Sequence, residues 1–278
     1  MPYSPCIIAS PFDKHGSDSA LDRVDRAIAV EAPIAIEVDG IAYAVMMATP
    51  ADLDDFVTGF MLSEGMIARA SDISFIDVSC VERGIICRVA RSMPDPAAIL
   101  ERVRHRTTDS ACGLCGLESL EAAIRPLPPV PRSDIAPRAI FSARTNLAGV
   151  QPLNMQTGAT HAAAFADADG NIRLIREDVG RHNAFDKLIG AMTRGQVGWA
   201  DGFALLTSRC SYDLVDKAAR AGCPFLATLS APTSLAIAAA TEAGIGLAVL
   251  VRDDNLMIYR SEHSSPAGTP LHEARNAA

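Results

Sequence analysis

From residue 203 onward, short continuous apolar runs alternate with helix-patterned segments, and that alternation leaves this chain few architectures to adopt. Phe203-Ala204-Leu205-Leu206 and Ala248-Val249-Leu250-Val251 have no polar side, as strands buried on both faces require. Strands are expected at 203–206, 225–228 and 247–251, with helices at 183–192, 212–221 and 234–243. Strands joined through helices imply right-handed crossovers and a largely parallel sheet with helices on both faces. A helix over 142–155 and a strand pair at 161–166 and 172–176, turning at Asp169-Gly170, lead into this block. Few aromatics and abundant alanine agree with helices packed on sheet, so the expected class is α/β.

The first half reads as a smaller mixed unit. Ile34-Ala35-Ile36-Glu37-Val38 is a strand, Asp39-Gly40 a hairpin turn, and 42–47 the return strand. Thr49-Pro50 predicts a helix start, with Thr49 as cap and Asp52, Asp54 and Asp55 in the positive first turn. A second hairpin at 75–82 and 85–90 turns at Arg83-Gly84, which would set Cys80 opposite Cys87 as small core residues. The expected division is a loose polar tail at 1–26 and an α+β domain at 27–106. A cysteine loop with a Pro-rich linker follows at 107–136, then the α/β domain at 137–262 and a loose tail at 263–278.

Several function classes are excluded by composition. A net charge of −8 with no basic concentration argues against non-specific nucleic-acid binding. No apolar run approaches the roughly 20 residues of a membrane span. The start, Met1-Pro2-Tyr3-Ser4-Pro5-Cys6, lacks the charged and apolar regions of a signal peptide. Seven scattered cysteines suit reduced thiols in a cytoplasm.

Chemistry concentrates in two places. The segment Thr107-Thr108-Asp109-Ser110-Ala111-Cys112-Gly113-Leu114-Cys115-Gly116 sets two thiols three positions apart between small residues. Such a pair can form a disulfide, hold half of a zinc site, or pass an atom from one sulfur to the other. Arg102, Arg104, His105 and Arg106, just upstream, can favour the thiolate, dock an acidic partner, or form a solvated basic face. The second place is the strand-to-helix edge of the α/β block, where such sheets bind ligands. Arg181, Arg209 and Arg252, with helix starts near Asn183, Ser211 and Ser234, would surround one crevice with anion-binding groups. Ordinary capping plus solvated arginines is the plain alternative. His182 offers a neutral imidazole there, or else orders Asp178; Asn183 can cap the helix or bond a ligand.

Taken together, these motifs resemble the formate dehydrogenase accessory proteins of the FdhD type. The resemblance is carried by Met47-Ala48-Thr49-Pro50, Gly59-Phe60-Met61-Leu62-Ser63-Glu64-Gly65, the Cys112 to Gly116 loop and Thr157-Gly158-Ala159-Thr160-His161-Ala162-Ala163. Glu177-Asp178-Val179-Gly180-Arg181-His182-Asn183-Ala184-Phe185-Asp186-Lys187 is the most specific part, extended by Lys217-Ala218-Ala219-Arg220-Ala221-Gly222 and Ser230-Ala231-Pro232-Thr233-Ser234. It implies a sulfurtransferase whose Cys112 accepts sulfur from a cysteine desulfurase as a persulfide. That sulfur would pass to the molybdenum cofactor with two molybdopterin guanine dinucleotides, held as substrate, before insertion into the formate dehydrogenase catalytic subunit. The implied contacts to this guanine-nucleotide-containing cofactor are Leu250, Val251, Arg252, Asp253, Asp254 and Asn255, joined in the crevice by Arg181, His182, Asn183, Arg209 and Ser230. The resemblance further implies a cytidine-deaminase-like larger domain, a homodimer and no resident metal.

Cys115 either releases sulfur by attacking the persulfide or only sets spacing. Ala159, Ser208 and Asp213 depart from the family's usual Gly, Gly and Glu, and the 250–255 segment is looser than its pattern; these changes touch the crevice and leave the cysteine loop intact. Two competing classes are a non-catalytic cofactor-binding chaperone and a zinc-dependent deaminase. The latter would use Cys80-Val81-Glu82 with Cys112 and Cys115, but Ala111 stands where its motif has proline.

Overall fold

The structure, a computed structural model, describes residues 5–17, 21–97, 99–100 and 126–259. Three sheets organise it. Strands β1 (Ile7–His15) and β2 (Leu21–Ala29) form an antiparallel ribbon. Strands β3 (Ala32–Val38), β4 (Ile41–Ala48), β5 (Ile73–Val81) and β6 (Gly84–Arg91) form a four-stranded sheet in the order β4-β3-β6-β5. Strands β7 (His161–Ala166), β8 (Ile172–Asp178), β9 (Phe203–Leu206), β10 (Phe225–Thr228), β11 (Gly246–Val249) and β12 (Met257–Tyr259) make the third sheet, ordered β12-β11-β10-β9-β7-β8. The helices among the described residues include α1 (Leu53–Ser63), α2 (Pro137–Leu147), α3 (Pro152–Thr157), α4 (Arg181–Arg194), α5 (Tyr212–Arg220) and α6 (Ser234–Ala243).

Alternation along each strand decides what it buries. Ile34, Ile36 and Val38 of β3 face one core, while Asp39 and Gly40, both at positive φ, make the tight turn into β4. In β9, Ala204 and Leu206 face the core shared with α1, α4, α5 and α6, whereas Phe203 and Leu205 face the second core beneath α2. That two-sided burial is why β9 carries no polar residue. The first core is continuous from β3 and α1 through α4 to α6, so the smaller sheet and the larger one are built on shared apolar packing.

Helices α1 and α4 cross at Gly59 and Gly190. A Cβ on Gly59 would fall inside the Asp186 carbonyl, and one on Gly190 inside the Asp55 carbonyl. The two backbones therefore touch directly, which only glycine permits.

The structure corrects several expectations. Residues 1–26 were expected to form a loose tail; instead 7–15 and 21–29 form the β1–β2 ribbon, in which no residue is fully buried. Helix α1 starts at Leu53 and not at Pro50, because Thr49 is engaged elsewhere: its N–H donates to Asp178 Oδ2 at 3.0 Å, and its hydroxyl accepts from the Val179 N–H at 3.1 Å. The expected helix at 142–155 divides into α2 and α3, since Pro152 cannot continue a helix and instead opens the next one. The large sheet is mixed: β9, β10 and β11 are parallel, and β7, β8 and β12 join antiparallel. Strand β11 ends at Val249, and Leu250 turns the chain with a φ of 52°. Cys80 pairs with Ile85, and Cys87 with Val78; Cys87 is buried and Cys80 exposed.

Candidate functional site

Strand register places the chemistry. His161 lies opposite Asp178, Ala163 opposite Leu206, Leu206 opposite Thr228, and Val249 opposite Met257. The start of β7 and the ends of β8, β9, β10 and β11 therefore lie along one edge of the sheet. Backbone bonds knit the loops leaving that edge. Ser230 N–H donates to Ser208 O at 3.3 Å, Leu250 N–H to Ser230 O at 3.3 Å, and Val251 N–H to Thr228 O at 3.1 Å. The N-cap residues of α4, α5 and α6 are Gly180, Ser211 and Thr233; the Thr233 hydroxyl caps its helix, and the other two have no side-chain cap. Their exposed N–H groups and dipoles suit an anion.

At the centre stand Arg181 and His182, both half-buried. Arg181 Nε, His182 Nε2 and Ser211 Oγ are buried atoms without a hydrogen-bond partner among the described residues. His182 Nε2 is 3.6 Å from Asp213 Oδ2, too far for a hydrogen bond. Burial, reinforced by Lys217, Arg181 and His161, holds the His182 pKa down at about 3, so the imidazole is neutral. His161 is also held down, mainly by burial and then by Arg181; its Nδ1 lies 3.3 Å from Thr207 Oγ1. Burial pushes the Asp213 carboxyl up. Lys217 is committed to both oxygens of buried Asp186, each at 2.8 Å, and Ser63 Oγ donates to the same carboxylate at 2.8 Å.

The outer part of the edge is open. Arg209 and Arg252 are exposed; the Arg252 guanidinium donates to the carbonyls of Leu229 and Val251. Asp253 pairs with Arg144 at 3.1 Å, and Asn255 donates to Asp254 at 2.7 Å while its carbonyl accepts from Arg252 N–H. Ser230 offers its half-buried side chain; its carbonyl is taken by Leu250 N–H and the Thr228 hydroxyl.

Not every residue expected at the crevice faces it. The Asn183 amide turns inward, donating to Met47 O at 2.8 Å and Asp178 Oδ1 at 3.0 Å. Val251 is fully buried in the core beneath α2. Asp178 is held by Lys187 at 2.6 Å and by the N–H groups of Thr49 and Gly180, while His182 rests against Asp213. Glu177 is structural too, accepting from Leu153 N–H at 2.9 Å and Asn154 N–H at 2.8 Å to cap α3. Conversely, the edge gathers His161 and Lys217, which the sequence alone does not place at the crevice, together with Ser211 and Asp213, which it places there without a role of their own.

Cys112 and Cys115 lie outside the described residues, as do Arg102, Arg104, His105 and Arg106. Burial holds the Cys87, Cys210 and Cys223 thiols up at about 12, which makes them poor nucleophiles. Among the described residues, no group of three or more His, Cys, Asp and Glu side chains could hold a metal, and no helix is long and apolar enough to cross a membrane.

Comparison with known proteins agrees across most of the chain. The model of the FdhD/NarQ family matches residues 29–265. A protein of Xanthomonas euvesicatoria pv. vesicatoria named sulfur carrier protein FdhD is 45% identical over 252 residues, covering 90% of this chain and 89% of the relative. One of the same name from Variovorax paradoxus is 45% identical, covering 84% of each. The crystal structure of a chain from Desulfotalea psychrophila, described as a formate dehydrogenase accessory protein, superposes with a TM-score of 0.71 at 24% identity. The match covers 93% of this chain and 99% of that one, and supports the mixed α/β fold.

Proposed function

The chain belongs to the FdhD/NarQ family, and on that premise we propose that it is a sulfur carrier serving formate dehydrogenase. What carries this reading is the 45% identity with a named sulfur carrier across 90% of the chain. The Cys112-Gly113-Leu114-Cys115 segment supplies the sulfur chemistry. The Cys112 thiolate attacks the terminal sulfur of a cysteine desulfurase persulfide, the desulfurase cysteine leaves as thiolate, and Cys112 carries the persulfide. Cys115 then attacks the Cys112 sulfur, forming a disulfide and releasing hydrosulfide to the acceptor; a cellular thiol reduces the disulfide for the next cycle.

The acceptor in this reading is the bis-guanylated molybdenum cofactor, bound as substrate at the sheet edge before it enters the formate dehydrogenase catalytic subunit. Arg181, Arg209, Arg252 and the open starts of α4 and α5 take its phosphates, and neutral His182 and Ser230 offer uncharged hydrogen bonds. Asp253, Asp254 and Asn255 close the loop beside them. The α/β portion from residue 137 onward is read as a cytidine-deaminase-like domain, the cytoplasm as the place of action, and two copies as the working unit.

The test is mass spectrometry after incubation with a cysteine desulfurase and cysteine. The peptide holding Cys112 gains one sulfur, and Cys112→Ala abolishes the gain while stability changes by no more than roughly 0.5 kcal/mol. Full loading of that variant would overturn the assignment.

A further inference from the structure

Strand β2 offers an open edge. The β1–β2 ribbon is a sheet of its own, and the outer side of β2 pairs with no other strand among the described residues. Residues 21–26 are all exposed, and the ribbon displays Leu21 at 61%, Ile8 at 48%, Phe12 at 46% and Val24 at 38% exposure. A two-stranded ribbon is marginal by itself, and an unpaired edge is a template for another strand. Its base is anchored by the Arg26 guanidinium, which donates to Thr157 O at 3.1 Å, and the Val30 N–H bond to Cys6 O at 2.9 Å extends the ribbon's own ladder. The family match begins at residue 29, so nearly all of the ribbon lies ahead of it.

What fits this edge is written along it. Reversing Asp22-Arg23-Val24-Asp25-Arg26 about Val24 sets every acid against a base. Two copies of β2, antiparallel and related by a two-fold axis at Val24, would therefore place Arg23 opposite Asp25 of the second copy and Asp22 opposite its Arg26. Val24 would meet Val24, and Leu21 would meet Ala27. Neighbouring registers fail. Moving the centre half a residue toward Arg23 sets Asp22 against Asp25, and half a residue toward Asp25 sets Arg23 against Arg26. Centring on Arg23 or Asp25 sets like charges face to face on the axis. The β1 edge is less suitable, because Pro11 has no N–H to donate. The two acids and two bases balance, so the strand has no net charge with which to attract an acidic or basic macromolecule; it complements itself, as an isologous contact requires.

We propose that β2 pairs edge to edge with β2 of a second copy in this register, forming a four-stranded β1-β2-β2-β1 sheet across the two-fold axis. This rests on the pairing of two copies stated above and names its surface. Sedimentation equilibrium of the full chain tests it. The parent chain dimerises, and Arg23→Glu or Asp25→Arg each raises the dimer dissociation constant at least ~10-fold, since each change puts two like-charge pairs across the axis. The double variant R23E/D25R exchanges the charges and returns to within ~3-fold of the parent. Val24→Lys gives a further break at the axis, and unchanged thermal melts show that each variant is folded. A dimer unmoved by both single changes would overturn this surface while leaving the pairing intact. Failure of the double variant to recover would overturn the register. A monomer at every concentration up to roughly 100 µM would overturn surface and pairing together.

Discussion

The segment from Glu177 to Asn183 contains two kinds of polar residue, set apart by where their hydrogen bonds end. Glu177, Asp178 and Asn183 spend theirs inside the protein, on the first turn of α3, on Thr49 and Met47, and on the fully buried Lys187. Arg181 and His182, interleaved with them, keep buried nitrogen atoms that bond to nothing among the described residues. Buried polar atoms are nearly always paired, so this second set is costly for folding alone and marks where a ligand would repay it. One run of sequence thus builds both the wall of the crevice and its contents.

That contrast can be broken from the interior side. Lys187→Met leaves the Asp178 carboxylate buried without its cation, and urea unfolding should register a loss of about 3–5 kcal/mol. A loss under ~1 kcal/mol would mean that the interior set is not structural. Glu177→Ala uncovers two N–H groups of α3, and the same measurement should show about 1–3 kcal/mol.

The edge side predicts smaller effects on stability. With its folded pKa held at about 3 by burial, His182 lies well below the ordinary imidazole value of roughly 6.5 found in the unfolded chain. On acidification the unfolded chain therefore takes up the proton first. The stability contribution of His182 is complete above pH ~6.5 and is lost as pH falls toward 3, by at most ~1.4 kcal/mol per unit. Asp213, pushed up by burial, acts in the opposite sense, so the difference between the parent and His182→Gln isolates the histidine: the variant's profile is flatter on the acid side. At neutral pH the same variant should cost less than ~1 kcal/mol yet weaken binding of a guanine nucleotide measured by calorimetry at low salt, with sulfur loading at Cys112 unchanged. Intact nucleotide binding would remove His182 from the site.

Much of this arrangement was legible in the sequence. The runs at 203–206 and 225–228 and the helix at 234–243 fall where their apolar pattern places them, because each is dictated by burial on two faces or by one helical stripe. The convergence of Arg181, Arg209 and Arg252 with three helix starts followed from the same alternation. Direction did not. A polar residue after a strand reads alike whether it points outward, as Arg209 does, or inward, as Asn183 does, since the partner that decides lies 136 residues away at Met47. Thr49 misled for the same reason: a helix-capping residue by local rules, it is claimed by Val179, 130 residues distant. The β1–β2 ribbon escaped notice because a strand with almost nothing buried shows no apolar face.

The crossing of Gly59 and Gly190 has a consequence for how the crevice keeps its shape. At Gly59 and Gly190 no side chain separates α1 from α4, so their closest approach is set there by main-chain atoms. A single methyl group at either position would act as a wedge. It would pry α4 away from α1 and swing the opposite end of that helix, where Arg181 and His182 sit, without touching either residue. The aim of the crevice is thus calibrated at a point one to three helical turns away, by the absence of a carbon atom.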